Sequence, residues 1–149
     1  MYSKNQLCAM NRAELQQLFE QCQPVEAGEL HGCYQGNAYA LPPFEHVPRW
    51  LRKALTGFIN FVNIFWRGKS LIDGRGHNLW LLLSERFGFA QYAYHIDTEG
   101  CLCLNYQQPE NPDMLHGLHA RLRRLDAKTL LGQVEISGKP RLFFTLSQP

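Results

Sequence analysis

The side chains in this sequence best suited to proton transfer are His77, Asp97 and Tyr106. Of these three types, histidine alone has an unperturbed pKa near neutrality, which suits acid–base catalysis. A single histidine close to a turn is nevertheless more often an ordinary surface residue. We therefore treat the three residues as candidates for a catalytic role in a reaction that their types do not identify.

Motifs that would fix another chemistry are missing from the sequence. Ser84 lacks the Gly-x-Ser-x-Gly context of a nucleophilic serine, and residues 73–76 lack the Gly-Lys-Ser/Thr ending of a phosphate loop. Two histidines and two cysteines are zinc ligands by type, but their spacing matches no zinc motif (His116, His119, Cys101 and Cys103). We expect neither a metal nor a cofactor.

Arg124 is the charged residue best placed to bind a ligand. If residues 117–126 form a strand, Arg124 shares the inward face with Leu122. A buried guanidinium needs an acceptor, which is either a side chain such as Glu135 or Asp97 or the carboxylate of a ligand held by two hydrogen bonds. We favour the structural partner, because buried ionic groups are usually satisfied within the protein.

Aromatic residues are numerous, with three Trp, six Tyr and nine Phe. They exceed what short strands need for packing, and an apolar pocket with a few polar groups is typical of a ligand site. We predict a pocket that holds a largely apolar small molecule, with a carboxylate as one option for its polar end. Its lining is Tyr34, Trp66, Asn78, Trp80, Tyr92, Tyr94, Leu104, Tyr106, Arg124 and Phe144.

Length and composition indicate one folded domain over residues 1–149. The net charge of +2 is too small to indicate a nucleic-acid partner. The apolar stretches are too short to span a bilayer. Five cysteines, an odd number, and a start without an apolar run predict a cytoplasmic protein with free thiols.

Periodicity predicts two helices and a series of strands. Asn11 and Glu14 form a capping box for a helix over 11–22, and Pro48 opens a second helix over 48–63 whose apolar stripe must be covered by something. A short helical piece is expected at 113–116. The predicted strands are 30–41, 64–72, 79–87, 89–96, 101–106, 117–126, 130–136 and 142–146.

Two of these segments leave alternatives open. Residues 117–126 fit a helix as well as a strand, and we favour the strand because a turn at 126–129 would lead into the next one. Residues 79–83 could instead form a helical turn. With the strand, the fold class is mainly β (α+β): one antiparallel barrel of about eight strands, with an N-terminal helix and a helical crossover after the first strand. Such a barrel is wide enough for packed side chains or one small ligand.

Two short strings resemble known small barrels. Gly32-Cys33-Tyr34-Gln35-Gly36 resembles the Gly-x-Trp opening of lipocalin-like (calycin) barrels, with Tyr34 in place of Trp. Residues 65–69 and 76–78 are similar to uncharacterised bacterial proteins of the GXWXG type. The calycin resemblance implies that Tyr34 plugs the closed end of the barrel and that Arg124 or Arg141 packs over it. Calycins include carriers and enzymes, so the fold does not settle function.

The leading hypothesis is therefore binding of an apolar small molecule in a barrel cavity. The alternative is a cyclase, isomerase or hydratase acting on a hydrophobic intermediate, with His77, Tyr106 or Asp97 transferring a proton. Positioning alone can remove about 7 to 11 kcal/mol from a barrier, so such an enzyme needs no recognisable motif. A third hypothesis is a module that binds a protein partner through the apolar face of helix 48–63.

Overall fold

The chain forms a closed barrel of eight antiparallel strands. The computed structural model describes residues 2–26, 28, 30–41, 44–62, 66–80 and 90–148, with the backbone alone at Val62 and Trp80. Each strand pairs with the next along the chain, and β8 pairs with β1 to close the barrel. The strands are β1 (Gly32–Tyr39), β2 (Trp66–Leu71), β3 (Arg75–Trp80), β4 (Gln91–Ile96), β5 (Leu102–Asn105), β6 (Leu118–Asp126), β7 (Thr129–Ile136) and β8 (Lys139–Ser147).

The structure confirms the predicted fold class, and it confirms the strand at 118–126. One strand was predicted too late in the sequence. We expected it at 79–87, but β3 begins at Arg75, directly after the turn at Asp73 and Gly74. Residues 81–89 lie outside the described residues. The start of β3 lacks the alternation of apolar and polar residues that predicts a strand. The position that would carry an inward apolar side chain is Gly76, and the Tyr92 ring occupies that space: a Cβ on Gly76 would be 2.6 Å from the ring.

The segment before β1 covers one end of the barrel. Gln23 pairs through its backbone with Arg124, and the Val25 amide donates a hydrogen bond to the Gly100 carbonyl. Val25 and Leu30 are buried in the same apolar cluster as the inward side chains of the strands. This end, where β6 and β7 are joined by the turn at 127–128, is therefore plugged by the chain itself.

Two short helices pack on the outside of the barrel. They are α1 (Lys4–Ala9) and α2 (Arg12–Gln21), and a capping box begins each. The Asn11–Glu14 box was predicted, whereas α1, which is opened by Ser3 and Gln6, was not. Both helices bury apolar side chains in a cluster with outward residues of the barrel strands, including Tyr39, Leu131 and Phe143.

The third helix, α3 (Arg49–Val62), connects β1 to β2 and turns its polar face inward. Arg52, Thr56 and Asn60 are buried, whereas Trp50 and Phe58, which belong to the predicted apolar stripe, are exposed. The cause is hydrogen bonding: the Arg52 guanidinium donates to the carbonyls of Ala9, Phe44, Glu45 and Val47. The expectation that the apolar stripe of α3 is covered is wrong within this single chain, because Trp50 and Phe58 are exposed. Among the described segments, no helix has the length and apolar character needed to cross a bilayer.

Candidate functional site: a buried lysine inside the barrel

Lys69 points into the barrel because β2 contains a bulge. The pairing of β2 with β3 shifts register between Trp66 and Gly68, so Trp66 and Lys69 both face inward, although a regular strand would place them on opposite faces. Gly68 has φ +148°, and a Cβ there would lie 1.8 Å from the Tyr34 carbonyl oxygen. Only glycine fits this position, and it sets the direction of Lys69.

Four aromatic rings surround the Lys69 side chain. Its Nζ lies 4.9 Å from the ring centroid of Tyr92, 5.1 Å from Tyr106, 5.4 Å from Phe144 and 5.6 Å from Trp66. The residue is only 3% exposed. We call these four rings and Lys69 the aromatic cage. Ring faces attract cations, so the cage compensates part of the loss of hydration of an ammonium group.

Two polar side chains contact Lys69 within the aromatic cage. Its Nζ forms hydrogen bonds with the Asn78 Oδ1 atom and with the phenol oxygen of Tyr106. Asn78 is opposite Lys69 in the β2–β3 register. Tyr106 is fixed through its carbonyl, which accepts a hydrogen bond of 2.7 Å from the buried side chain of Asn111. The Asn111 side chain also forms hydrogen bonds with the backbone of Gln91, so it holds the first residue of β4 against the end of β5.

Burial changes the acid–base chemistry of this group. Among the described residues, no Asp or Glu forms an ion pair with Lys69. Burial lowers the pKa of Lys69 to about 7, because an ammonium is poorly solvated there. Burial also raises the pKa of Tyr106, so its phenol keeps its proton. Near neutral pH, Lys69 is therefore present as both amine and ammonium, next to a protonated phenol.

Most predicted pocket residues lie together around Lys69. Tyr34, Tyr92, Leu104, Tyr106 and Phe144 are buried in one cluster, and Trp66 and Tyr94 pack against it. Asn78 joins them through Lys69, and Trp80 pairs with Trp66 through the backbone. Lys69 itself was not among the predicted site residues. The available signal was Gly68, whose bulge changes which residues of β2 face inward.

The three candidate proton-transfer residues do not meet. Tyr106 lies inside the barrel. His77 lies on the outer side of the wall, where its Nδ1 is 3.0 Å from the Ser70 hydroxyl. Asp97 lies in the connection between β4 and β5 and accepts a hydrogen bond from the Cys101 amide. Of the three, Tyr106 alone contacts the buried lysine.

Arg124 and Tyr34 line a separate cavity of about 230 Å³ at the plugged end. The Tyr34 phenol accepts a hydrogen bond of 3.2 Å from the Gln148 amide in the same cavity. Arg141 is exposed on β8. Of the two basic residues that the calycin resemblance offers, Arg124 is the one that shares a cavity with Tyr34.

A larger cleft of about 550 Å³ lies beside β1. It forms where β1 and β2 separate, since their pairing ends at Gln35 and Gly68. Beyond that point the Asn60 side chain pairs with the backbone of Ala38 instead. Among the described residues, the lining contains two cationic side chains and no carboxylate: Lys4, Cys33, Tyr34, Gln35, Gly36, Asn37, Asn60, Arg67 and Leu79.

Trp66 lies between this cleft and Lys69. A Cβ on Gly36, which lines the cleft, would be 2.5 Å from the Trp66 ring, and the same ring is part of the aromatic cage. Trp66 is partly buried and packs edge-on against Phe144. The Trp66 ring therefore lies beside both the cleft residue Gly36 and the buried amine.

Asp97, Glu99 and Cys101 place ligand atoms within 4.8 Å of one another on the outside of the barrel. Arg121 pairs with both carboxylates, and Arg123 pairs with Glu99. The Arg123 Nε is 2.9 Å from the Cys101 sulfur. The negative charge of this cluster is thus already matched by two guanidinium groups.

Comparison with known proteins supports the fold. A crystal structure of a protein from Thermomonospora curvata superposes with a TM-score of 0.58 at 18% sequence identity, covering 94% of this chain and 88% of that one. No protein-family model and no curated protein matches the sequence. The two chains share the same fold, and the eight-stranded barrel of this chain is compatible with a small-molecule cavity.

Proposed function

We propose that this barrel binds a largely apolar small molecule carrying one carboxylate, with Lys69 as its anchor. The observation that carries the proposal is a lysine side chain buried among four aromatic rings, for which the described residues supply no carboxylate. Burying an unpaired charge is costly, and a charge-assisted hydrogen bond to a carboxylate would offset that cost. The rings would contact the apolar part of the ligand.

The cleft beside β1 supports a route for an acidic ligand. Lys4 and Arg67 give its lining a positive charge, which favours anions, and Trp66 separates it from Lys69. In this proposal the ligand displaces the Trp66 ring and brings its carboxylate to Lys69. Lys69 thus takes the anchoring role that was left open for Arg124 as the alternative to a structural one, and a role for Arg124 in ligand binding stays a prediction.

Fluorescence titration tests the proposal. Trp66 should change its emission when a ligand displaces it, a Trp50→Phe background removes the signal of the exposed tryptophan on α3, and Trp50→Phe with Trp66→Phe measures the contribution of Trp80 alone. Fatty acids from hexanoate to hexadecanoate should quench saturably near pH 6, and their methyl esters should bind more weakly. Lys69→Met should remove the preference for the acid over the ester. Equal binding of acid and ester by the wild type would contradict the proposal.

A further inference from the structure

We propose that the Lys69 amine also condenses with the carbonyl group of an apolar aldehyde or ketone, forming an imine with the help of the Tyr106 phenol. This inference rests on the proposed function in one respect, since an apolar molecule must reach Lys69. It adds a covalent reaction and a second substrate class to the same site.

Three features of the aromatic cage favour this reaction. A reactive lysine must be neutral, and burial supplies a neutral fraction near pH 7. A proton donor must contact the nitrogen, and the Tyr106 hydroxyl is hydrogen-bonded to it. Water must be scarce, because water hydrolyses imines, and Lys69 is 3% exposed. Asn78 Oδ1 accepts an N–H of Lys69 and so fixes the orientation of the nitrogen.

The reaction balances without an oxidant or a further reagent. The lone pair of the neutral Nζ forms a bond to the carbonyl carbon, and the π electrons of the C=O bond move to oxygen, which takes the proton of Tyr106. The tyrosinate then recovers a proton from the positively charged nitrogen. In the second stage the hydroxyl takes the Tyr106 proton again and leaves as water, while the nitrogen lone pair forms the C=N bond. The nitrogen then returns its last proton to Tyr106.

Reductive trapping tests this proposal in the wild-type protein. The protein is mixed with octanal and sodium cyanoborohydride near pH 7, and digested peptides are analysed by mass spectrometry. The exposed lysines provide internal controls in the same sample: Lys4, Lys53, Lys128 and Lys139. We expect the octyl adduct on Lys69 first, at least about tenfold faster than on any exposed lysine. Adducts on the exposed lysines alone would overturn the proposal.

Two variants and a non-reactive analogue separate the possible failures. Lys69→Arg should abolish the adduct in that peptide, and Tyr106→Phe should slow its formation about 100-fold, the lower range for a general acid, while 1-octanol still binds. If octanoate and 1-octanol quench the tryptophan emission but octanal leaves Lys69 unmodified, the imine proposal fails and ligand binding stands. If neither octanoate nor 1-octanol binds and no adduct forms, both proposals fail.

The exposed face of α3 carries a second, independent inference. Trp50, Phe58 and Phe61 are 72%, 67% and 85% exposed, and their spacing places them along one side of the helix. Arg49 and Lys53 are exposed near its N-terminal end, and α3 contains no acidic residue. Aromatic residues flanked by basic ones are typical of helices that lie in the surface of anionic membranes. We infer that α3 docks on an anionic lipid surface.

Sedimentation with lipid vesicles tests the docking of α3. The protein should bind vesicles of phosphatidylserine and phosphatidylcholine, and bind pure phosphatidylcholine far less. Phe58→Ser with Phe61→Ser should abolish binding, whereas Met114→Ser, at an 82% exposed apolar residue elsewhere, should not. Absence of binding would overturn the inference. A dimer by light scattering that the paired serine variant abolishes would overturn it in favour of a second copy of the chain.

Discussion

The side chains of Lys69 and Tyr106 are hydrogen-bonded to each other inside the barrel, where they are 3% and 2% exposed. Neither side chain has an acidic partner among the described residues. An amine and a phenol in this arrangement cost stability when the amine is charged. The stability of the protein should therefore depend on pH through Lys69.

Between about pH 7 and pH 9, the wild type should gain stability relative to Lys69→Met. The unfolded chain keeps a normal lysine pKa, whereas burial lowers the pKa of Lys69 to about 7 in the folded state. The unfolded state therefore binds more protons in this window, so stability rises with pH by at most about 1.4 kcal/mol per pH unit. Urea unfolding of both proteins at several pH values measures the difference. A difference that does not change with pH would show that Lys69 titrates normally.

Gly68→Ala should destabilise the protein by more than about 2 kcal/mol, because it adds a Cβ at positive φ against the Tyr34 carbonyl. Gly57→Ala in α3 is the matched control, since its Cβ would meet nothing within 4 Å. The control should stabilise by about 0.5 to 1 kcal/mol through helix propensity. Thermal melts check both. Equal effects of the two substitutions would contradict the role of the bulge.

Arg52→Lys should loosen α3 although it keeps the charge. A lysine cannot supply the several guanidinium hydrogen bonds that reach the carbonyls of Ala9 and Val47. We expect a loss of about 1 to 3 kcal/mol, and Lys53→Ala on the exposed side should change stability little. Hydrogen exchange of the α3 amides, compared between the two variants, reports the effect locally. Unchanged exchange in Arg52→Lys would show that other contacts hold the helix.

Arg124→Ala distinguishes the two roles considered for Arg124. With a structural role beside Tyr34, the apo protein should lose about 1 to 3 kcal/mol of stability whether or not a ligand is added. With a role in anchoring a carboxylate, the apo melting temperature should stay the same and carboxylate binding should weaken. We expect the structural result. Thermal melts of the apo protein decide this before a natural ligand is known.

The barrel was predictable because alternation is regular where strands are regular. In β7 and β8, Leu130, Val134 and Phe144 mark the inward face directly, and the register agrees with it. The start of β3 was missed because Gly76 makes room for the Tyr92 ring and leaves no apolar signal. The start of β3 therefore depends on the Tyr92 ring, which is distant in sequence and leaves no sign in the residues around Gly76.

The pocket was predictable by residue type, but its anchor was not. Aromatic residues such as Tyr92 and Tyr106 revealed an apolar interior. Lys69 lies in a segment where the bulge at Gly68 reverses the inward and outward positions. Assigning alternate residues of β2 to the two faces therefore gives the wrong face for Lys69. In α3, amphipathicity located two faces correctly, but the hydrogen bonds of Arg52 and Asn60 to backbone atoms decide which face is buried.

Proton uptake on binding tests the proposed anchor most directly. At about pH 8 the Lys69 amine is mostly neutral, because its pKa is about 7, and a bound carboxylate would raise that pKa. Calorimetric titration with a fatty acid, in buffers of different ionisation enthalpy, should show uptake of nearly one proton per ligand. Affinity should fall about tenfold per pH unit above pH 7. Lys69→Met should show no uptake, and saturable carboxylate binding by the wild type without proton uptake would contradict the account.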